Sequence, residues 1–419
     1  MNAQDKDKVE ADFITINDVA VPLIFEESKN LPIGNLQLVF VGGSADGEIA
    51  GLGAMSANML NEGTKGLGNV GFAQKLESKA ISLQASVGLQ TLSLSLSYLK
   101  EFEHNAFEFL GMLLDDPNLT MESLEKIKML SLSKLARAQS DFDDVAQKNL
   151  NKILFKGTPL AIPLIGDKQS IESIRLEDIE AFLKRNLVLN RLIIVAGGDM
   201  QEEKLKKELT TLLEHLPKGE AKARLHFEAS RDADSIVIQK PTEQAFIYFG
   251  APFDVGDKEK NYMAKVMGFI LGASGFGSRI LEEVRVKRGL AYSASMRINV
   301  SGSANYASGY LQTKLESKDE AIKVVKEVVN DFITNGAKDE ELQAAKAFLL
   351  GSEPLLEETL ASRLSAKFVN YFQGLPLDNR KRELALIKDL SLEALNAYIK
   401  SHKEVLQMSF AIVEATSPN

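Results

Sequence analysis

Apolar and polar residues alternate strictly in some stretches of this chain and recur every three to four residues in others. Leu92-Ser-Leu-Ser-Leu-Ser has period two, and Asn35-Leu-Gln-Leu-Val-Phe-Val shows the same alternation with branched side chains, so both predict strands. An alternating segment at 14–27 precedes them, and a second pair of strands is expected within 81–99. Helical spacing marks 51–61 and 71–79, then most of 103–187. Arg191-Leu-Ile-Ile-Val-Ala-Gly is an unbroken apolar run and reads as a buried strand closing the half.

The second half repeats this order. Ser235-Ile-Val-Ile-Gln and Gln244-Ala-Phe-Ile-Tyr-Phe-Gly read as strands, 261–271 and 279–287 as helices, and 291–311 as a hairpin turning near Ser301-Gly-Ser. Helices fill 319–399, and Gln407-Met-Ser-Phe-Ala-Ile-Val closes the pattern. The opening and closing strands lie 156 residues apart in the first half (35 to 191) and 163 in the second (244 to 407). Near-equal spans with one element order predict a duplicated lobe. Leu216-Pro-Lys-Gly-Glu-Ala-Lys-Ala-Arg is polar with Pro and Gly, so the expected division is a first lobe at 1–216, a linker at 217–234 and a second lobe at 235–419. Strands come early and helices late in each half. That order favours an α+β fold, each lobe a mostly antiparallel sheet with helices packed on one face.

Composition narrows the chemistry. The 419 residues carry a net charge of −9, which speaks against a nucleic-acid partner. Cysteine is absent, which removes disulfides, thiolate nucleophiles and Cys-ligated metals, and there are only four histidines, His104, His215, His226 and His402. No window reaches about 18 consecutive apolar residues, so no membrane span is expected. Met1-Asn-Ala-Gln-Asp-Lys-Asp-Lys is polar and does not read as a leader.

Most candidate sites fail on context. Gly272-Ala-Ser-Gly-Phe-Gly-Ser-Arg279 follows a helix rather than a strand and matches no phosphate-loop spacing, so a helix–helix turn with Ser278 as N-cap is expected. The same reading covers Gly63-Thr-Lys-Gly-Leu-Gly. No two histidines are closer than eleven residues (215 to 226), so each is expected at a surface or interface. No Gly-x-Ser-x-Gly elbow occurs. Asp141-Phe-Asp-Asp144 lacks the glycine and terminal glutamate of a calcium loop and is expected to cap a helix. The sharpest segment is Ser278-Arg-Ile-Leu-Glu-Glu-Val-Arg285-Val-Lys-Arg-Gly-Leu-Ala-Tyr292-Ser. It places a guanidinium and a phenol seven residues apart across a helix-to-strand corner, where both can donate to a peptide carbonyl. From spacing alone, an Arg285–Glu282 pair with Tyr292 half-buried in a strand is the commoner arrangement.

The segment 278–293 resembles the second-half signature of the pitrilysin/insulinase zinc metallopeptidases, the inverzincins. The chain is most similar to their short bacterial members related to mitochondrial processing peptidase. Gly42-Gly-Ser-Ala-Asp-Gly, Gly51-Leu-Gly and Gly63-Thr carry the likeness through the first half. The resemblance implies a clam-shell of two lobes, a substrate-binding role for Arg285 and Tyr292, and a His-x-x-Glu-His helix between Gly51 and Gly63. Its motif positions fall on Ala54, Ala57 and Asn58, and the third ligand, a glutamate in the family, falls near Lys134. No histidine lies between 1 and 103 to rescue the site, so no zinc and no hydrolysis by this chain alone are expected. In two-subunit members the zinc-less chain lends its Arg and Tyr to a zinc-bearing partner. That implies a non-catalytic subunit of a heterodimeric metallopeptidase, its partner a His-x-x-Glu-His homologue holding the zinc, its substrate unfolded peptide. The alternative is a structural or peptide-holding homodimer, like zinc-less respiratory core subunits. An unorthodox metal site around Asn58 and Glu62 is disfavoured, since an amide is a poor zinc ligand. By the same resemblance, Leu83, Gln84, Ala85 and Ser86 form the edge strand that pairs with substrate in active relatives, and the bacterial periplasm is the favoured compartment.

Overall fold

The strand-rich start of each half builds one sheet in the computed structural model, which describes residues 10–275 and 277–415. The polar opening octapeptide and Phe276 lie outside the described residues. The first sheet uses β1 (Asp12–Ile16), β2 (Val19–Glu27), β3 (Ile33–Val41), β4 (Ser82–Val87), β5 (Thr91–Leu99) and β6 (Leu192–Gly198). They lie in the order β1-β2-β6-β3-β5-β4, and every pair is antiparallel except β2 with β6. The second contains β7 (Phe227–Glu228), β8 (Ser235–Gln239), β9 (Gln244–Pro252), β10 (Ala291–Val300), β11 (Ala304–Lys314) and β12 (Ser409–Glu414). Its order is β10-β11-β9-β12-β8, with the β12–β8 pair parallel and β7 against β11. Apart from β1, which has no counterpart, reversing one list reproduces the other, so the duplication expected from spacing is present as matched topology: β4 corresponds to β10, and each ends its sheet.

Two compact units follow from these sheets, and neither is continuous in sequence. The first comprises 1–135, 163–225 and 355–379, and the second comprises 136–162, 226–354 and 380–419. The reason lies on the sheets' second faces. In the first unit, inward residues such as Leu38, Phe40, Leu94 and Leu96 pack on helices that include Leu52–Leu60, Glu103–Asp115 and Leu176–Asn186. The opposite face also carries apolar side chains: Ile24, Val39, Val41, Ile193 and Val195 are buried against Leu360, Leu364 and Phe368 of the helix Leu360–Gln373. That helix is clamped by Glu26 on β2, which accepts from Arg363 at 2.6 Å and Lys367 at 2.8 Å. In the second unit the helix Phe142–Leu154 plays this part, with Phe142 edge-on to Phe246 at 5.5 Å and Tyr248 donating to Asp143 at 3.2 Å. The expected helical layer covers one face of each sheet, and a further helix covers part of the other. Buried β6 and β12 need cover on both sides, and a helix from the other half of the sequence supplies it.

Local chemistry sets the ends of these elements. Asp141 caps the helix Phe142–Leu154 as expected, accepting from the Asp144 amide at 3.1 Å. The start of the polar 217–234 stretch is fastened to the first unit. Arg191 donates to the Glu220 carbonyl at 3.0 Å and to Asp46 at 2.7 Å, and Lys222 meets Asp46 at 2.5 Å. Burial alone would raise the Asp46 carboxyl. The bonds from Lys222 and Arg191 outweigh it and hold the group below its ordinary value.

Candidate functional site

Arg285 and Tyr292 are brought together by two backbone irregularities in succession. The helical turn Arg279–Leu281 widens over Glu282–Val286 into a π-turn, where the Lys287 amide reaches back five residues to the Glu282 carbonyl at 2.9 Å. Gly289 ends it with φ of 61°, and the Leu290 amide bonds the Val284 carbonyl at 2.9 Å, a closure that favours glycine. The chain then enters β10, whose register against β11 slips: Ala291 faces Thr313, but Ala294 faces Leu311. Tyr292 sits in that bulge, which re-aims its side chain, and it is 82% exposed rather than half-buried. The Arg285 guanidinium carbon lies 4.6 Å from the Tyr292 ring centroid. A fork of N–H donors over a ring thus stands beside an exposed phenol on the sheet's terminal strand.

The neighbouring charges are mutually satisfied. Lys287 at 2.6 Å and Arg288 both donate to Glu283, and those bonds hold its carboxyl below the usual range. Arg279, at the head of the same turn, clamps Glu341 through two 2.7 Å bonds, donates to Asp331 at 3.1 Å and lies 4.7 Å from the Phe332 ring centroid. Gly272 has no room for a side chain, because a Cβ there would meet the Met296 backbone nitrogen at 2.4 Å. Gly275 and Gly277, with φ of 71° and 87°, lie in the turn between the two helical segments, where the sequence context placed a helix–helix turn. Ser278 occupies the N-cap position, but its buried hydroxyl makes no hydrogen bond, so the expected side-chain cap is absent.

In the first unit, Gly51 with φ of 86° starts the helix Leu52–Leu60. Ala57 is 3% exposed, Ala54 is half-buried and Asn58 is exposed. Lys134 is exposed on the helix Met121–Ala138. Glu62 is buried, and its two carboxylate oxygens lie 2.9 and 2.8 Å from the Lys126 ammonium, so a cation already occupies the nearby acid. Of the histidines, His215 lies 3.4 Å from Asp115 and His226 lies 3.8 Å from Glu228. His402 departs from the surface expectation: it is 5% exposed, bonds Glu404 at 2.7 Å and stacks on Phe253 at 4.5 Å.

Sequence reading overlooked one residue on the same helix end. The Asn61 carboxamide faces the edge strand β4, accepting from the Ala85 amide at 2.7 Å and donating to the Ala85 carbonyl at 2.9 Å. Ala85 therefore points both backbone groups away from β5, and antiparallel alternation turns Leu83 and Val87 outward as well. The substrate-pairing strand read from sequence is a sheet edge, but its central position is already bonded. The only signal was position: Asn61 lies one turn beyond Asn58, and nothing in local periodicity links it to residue 85.

Comparison with known proteins decides the family. A model described as "Insulinase (Peptidase family M16)" matches residues 23–168, and one described as "Peptidase M16 inactive domain" matches 173–349. The non-peptidase homolog YmxG of Helicobacter pylori is 45% identical over 401 residues, which cover 95% of this chain and 93% of that protein. The chain belongs to the M16 peptidase family. A crystal structure of a peptidase M16 inactive domain from Pseudomonas fluorescens superposes with a TM-score of 0.89 at 25% identity, covering 98% of this chain and 99% of that one. The periplasmic protease PqqL of Escherichia coli shares the fold, with a TM-score of 0.80 at 12% identity over 99% of this chain and 47% of its own.

Ala54, Ala57 and Asn58, the positions expected from sequence to correspond to the zinc motif, offer two methyl groups and a neutral amide, and Lys134 offers an ammonium. This set does not fit zinc, which needs imidazole or carboxylate here. Among the described residues no three His, Asp or Glu side chains converge as a metal-holding group.

Proposed function

We propose that this M16 homologue is the zinc-less subunit of a heterodimeric metallopeptidase and lends Arg285 and Tyr292 to the site of a partner carrying His-x-x-Glu-His and the zinc. One observation supports the reading: the half-buried Arg285 guanidinium lies 4.6 Å from the ring of the exposed Tyr292, while Ala54, Ala57 and Asn58 of the helix Leu52–Leu60 offer no zinc donor. A guanidinium and a phenol on an accessible edge have chemistry only if something else activates the nucleophile. Their N–H and O–H groups suit a peptide carbonyl in the ground state and the oxyanion that forms from it. The substrate class in this reading is unfolded peptide.

The partnership has a direct assay. Co-expression with an M16 homologue bearing the intact motif is expected to give a stable one-to-one complex through affinity and size-exclusion steps. A chain that elutes only as a homodimer and exchanges with no zinc-bearing homologue would instead favour a structural or peptide-holding role. Among the described residues no helix is long and apolar enough to cross a membrane. A periplasmic location, the compartment named for PqqL, belongs to the same proposal.

A further inference from the structure

The carboxamide of an asparagine has the donor, acceptor and planarity of a backbone peptide group. Opposite Ala85, Asn61 uses both, in the two-bond pattern that a residue of an added antiparallel strand would make. The arrangement is held from both sides. The Asn61 amide bonds the Ala57 and Asn58 carbonyls at 3.3 and 3.1 Å, and its own carbonyl accepts from Asn69 at 3.3 Å. Ala85 is 3% exposed and paired opposite Leu94, so the strand cannot slide to present another residue. Just past the end of β4, the Gly88 carbonyl is taken by the Ser44 amide at 3.0 Å.

We propose that Asn61 is a built-in strand mimic that closes the β4 edge, so that this chain binds extended peptide there at least tenfold more weakly while the side chain is in place. An incoming peptide must give up or displace the pair of bonds at the centre of its register. That forfeits about a tenfold to hundredfold in affinity. The partner chemistry the edge would otherwise fit is an extended, uncharged polypeptide. The outward-facing side chains beside it on that face, Ser82, Gln84 and Ser86, are neutral and exposed. The proposal concerns this chain by itself and does not depend on a zinc-bearing partner. If that partnership fails, the closed edge stands or falls on its own readout.

The test compares the intact chain with Asn61→Ala in two measurements on the isolated protein. Hydrogen exchange of the segment 82–88 is expected to accelerate in Asn61→Ala, because the Ala85 amide loses its acceptor. A fluorescein-labelled ten-residue neutral peptide in extended conformation is expected to bind Asn61→Ala at least tenfold more tightly, by anisotropy. Adding Ala85→Pro, which deletes the outward donor, should abolish the gain. Asn61→Asp keeps the acceptor and loses the donor, and serves if the alanine variant does not fold: Ala85 stays protected while peptide affinity rises partway. Unchanged exchange in Asn61→Ala, or wild-type affinity equal to that of the variants, would overturn the proposal.

Discussion

In a complex with a zinc-bearing homologue, the double substitution Arg285→Ala and Tyr292→Phe is expected to lower kcat/KM on an unfolded peptide by about 10²–10³-fold or more. That is the usual consequence of losing even one preorganised donor to a developing oxyanion. The substitutions remove donors without removing core. Tyr292 is 82% exposed and retains its ring as Phe, so thermal stability of the chain and recovery of the complex should stay at wild-type levels. Arg285→Lys separates charge from shape, because it keeps the cation and loses the planar fork. It should fall between wild type and Arg285→Ala. A complex whose kcat/KM is indifferent to all three changes would remove these residues from the reaction.

The second large effect concerns the scaffold under that pair. Arg279→Ala should destabilise the second unit by about 3 kcal/mol, because it leaves the part-buried Glu341 carboxylate without its bidentate partner. It also removes a cation 4.7 Å from the Phe332 ring centroid. The loss has a pH signature. Burial by itself would raise the Glu341 pKa, but the bonds from Arg279 outweigh it and set the folded value below the ordinary 4.5. A depressed carboxylate contributes its full stability above the unfolded value. The contribution disappears as pH falls through the folded one. The gap between wild type and Arg279→Ala in urea unfolding should therefore be widest near neutrality and shrink below about pH 4. A gap under about 1 kcal/mol at pH 7 would refute the assignment, since exposed pairs reach only that size.

How much of this was legible in the sequence depends on the range of the contacts. Period-two runs such as Leu92–Ser97 and the unbroken apolar run after Arg191 produced β5 and β6, because strand patterning is local. The matched spans foretold a duplicated sheet for the same reason. The exchange of the helices Phe142–Leu154 and Leu360–Gln373 between units was not legible. A helix shows which face is apolar but not which distant sheet will cover it. Seven-residue spacing across a glycine-terminated turn allowed Arg285 and Tyr292 to converge but favoured an Arg285–Glu282 pair with Tyr292 half-buried; the family resemblance singled the pair out. The π-turn and the bulge that bring the two together could not be read, since both are one-residue slips with no compositional mark. Asn61 escaped because its partner is 24 residues away and its own surroundings read as an ordinary helix end. His402 escaped because its burial rests partly on Phe253, which tertiary packing brings from 149 residues away to join the local Tyr398 and Glu404.

Peptide hydrolysis by the purified chain, measured alone and after mixing with a homologue that carries His-x-x-Glu-His, tests the division of labour most directly. The predicted result is no cleavage by the chain alone and chelator-sensitive cleavage by the mixture. Chelator-sensitive cleavage by this chain in the absence of any other M16 protein would contradict it, because Ala54, Ala57, Asn58 and Lys134 would then have to hold a working zinc ion.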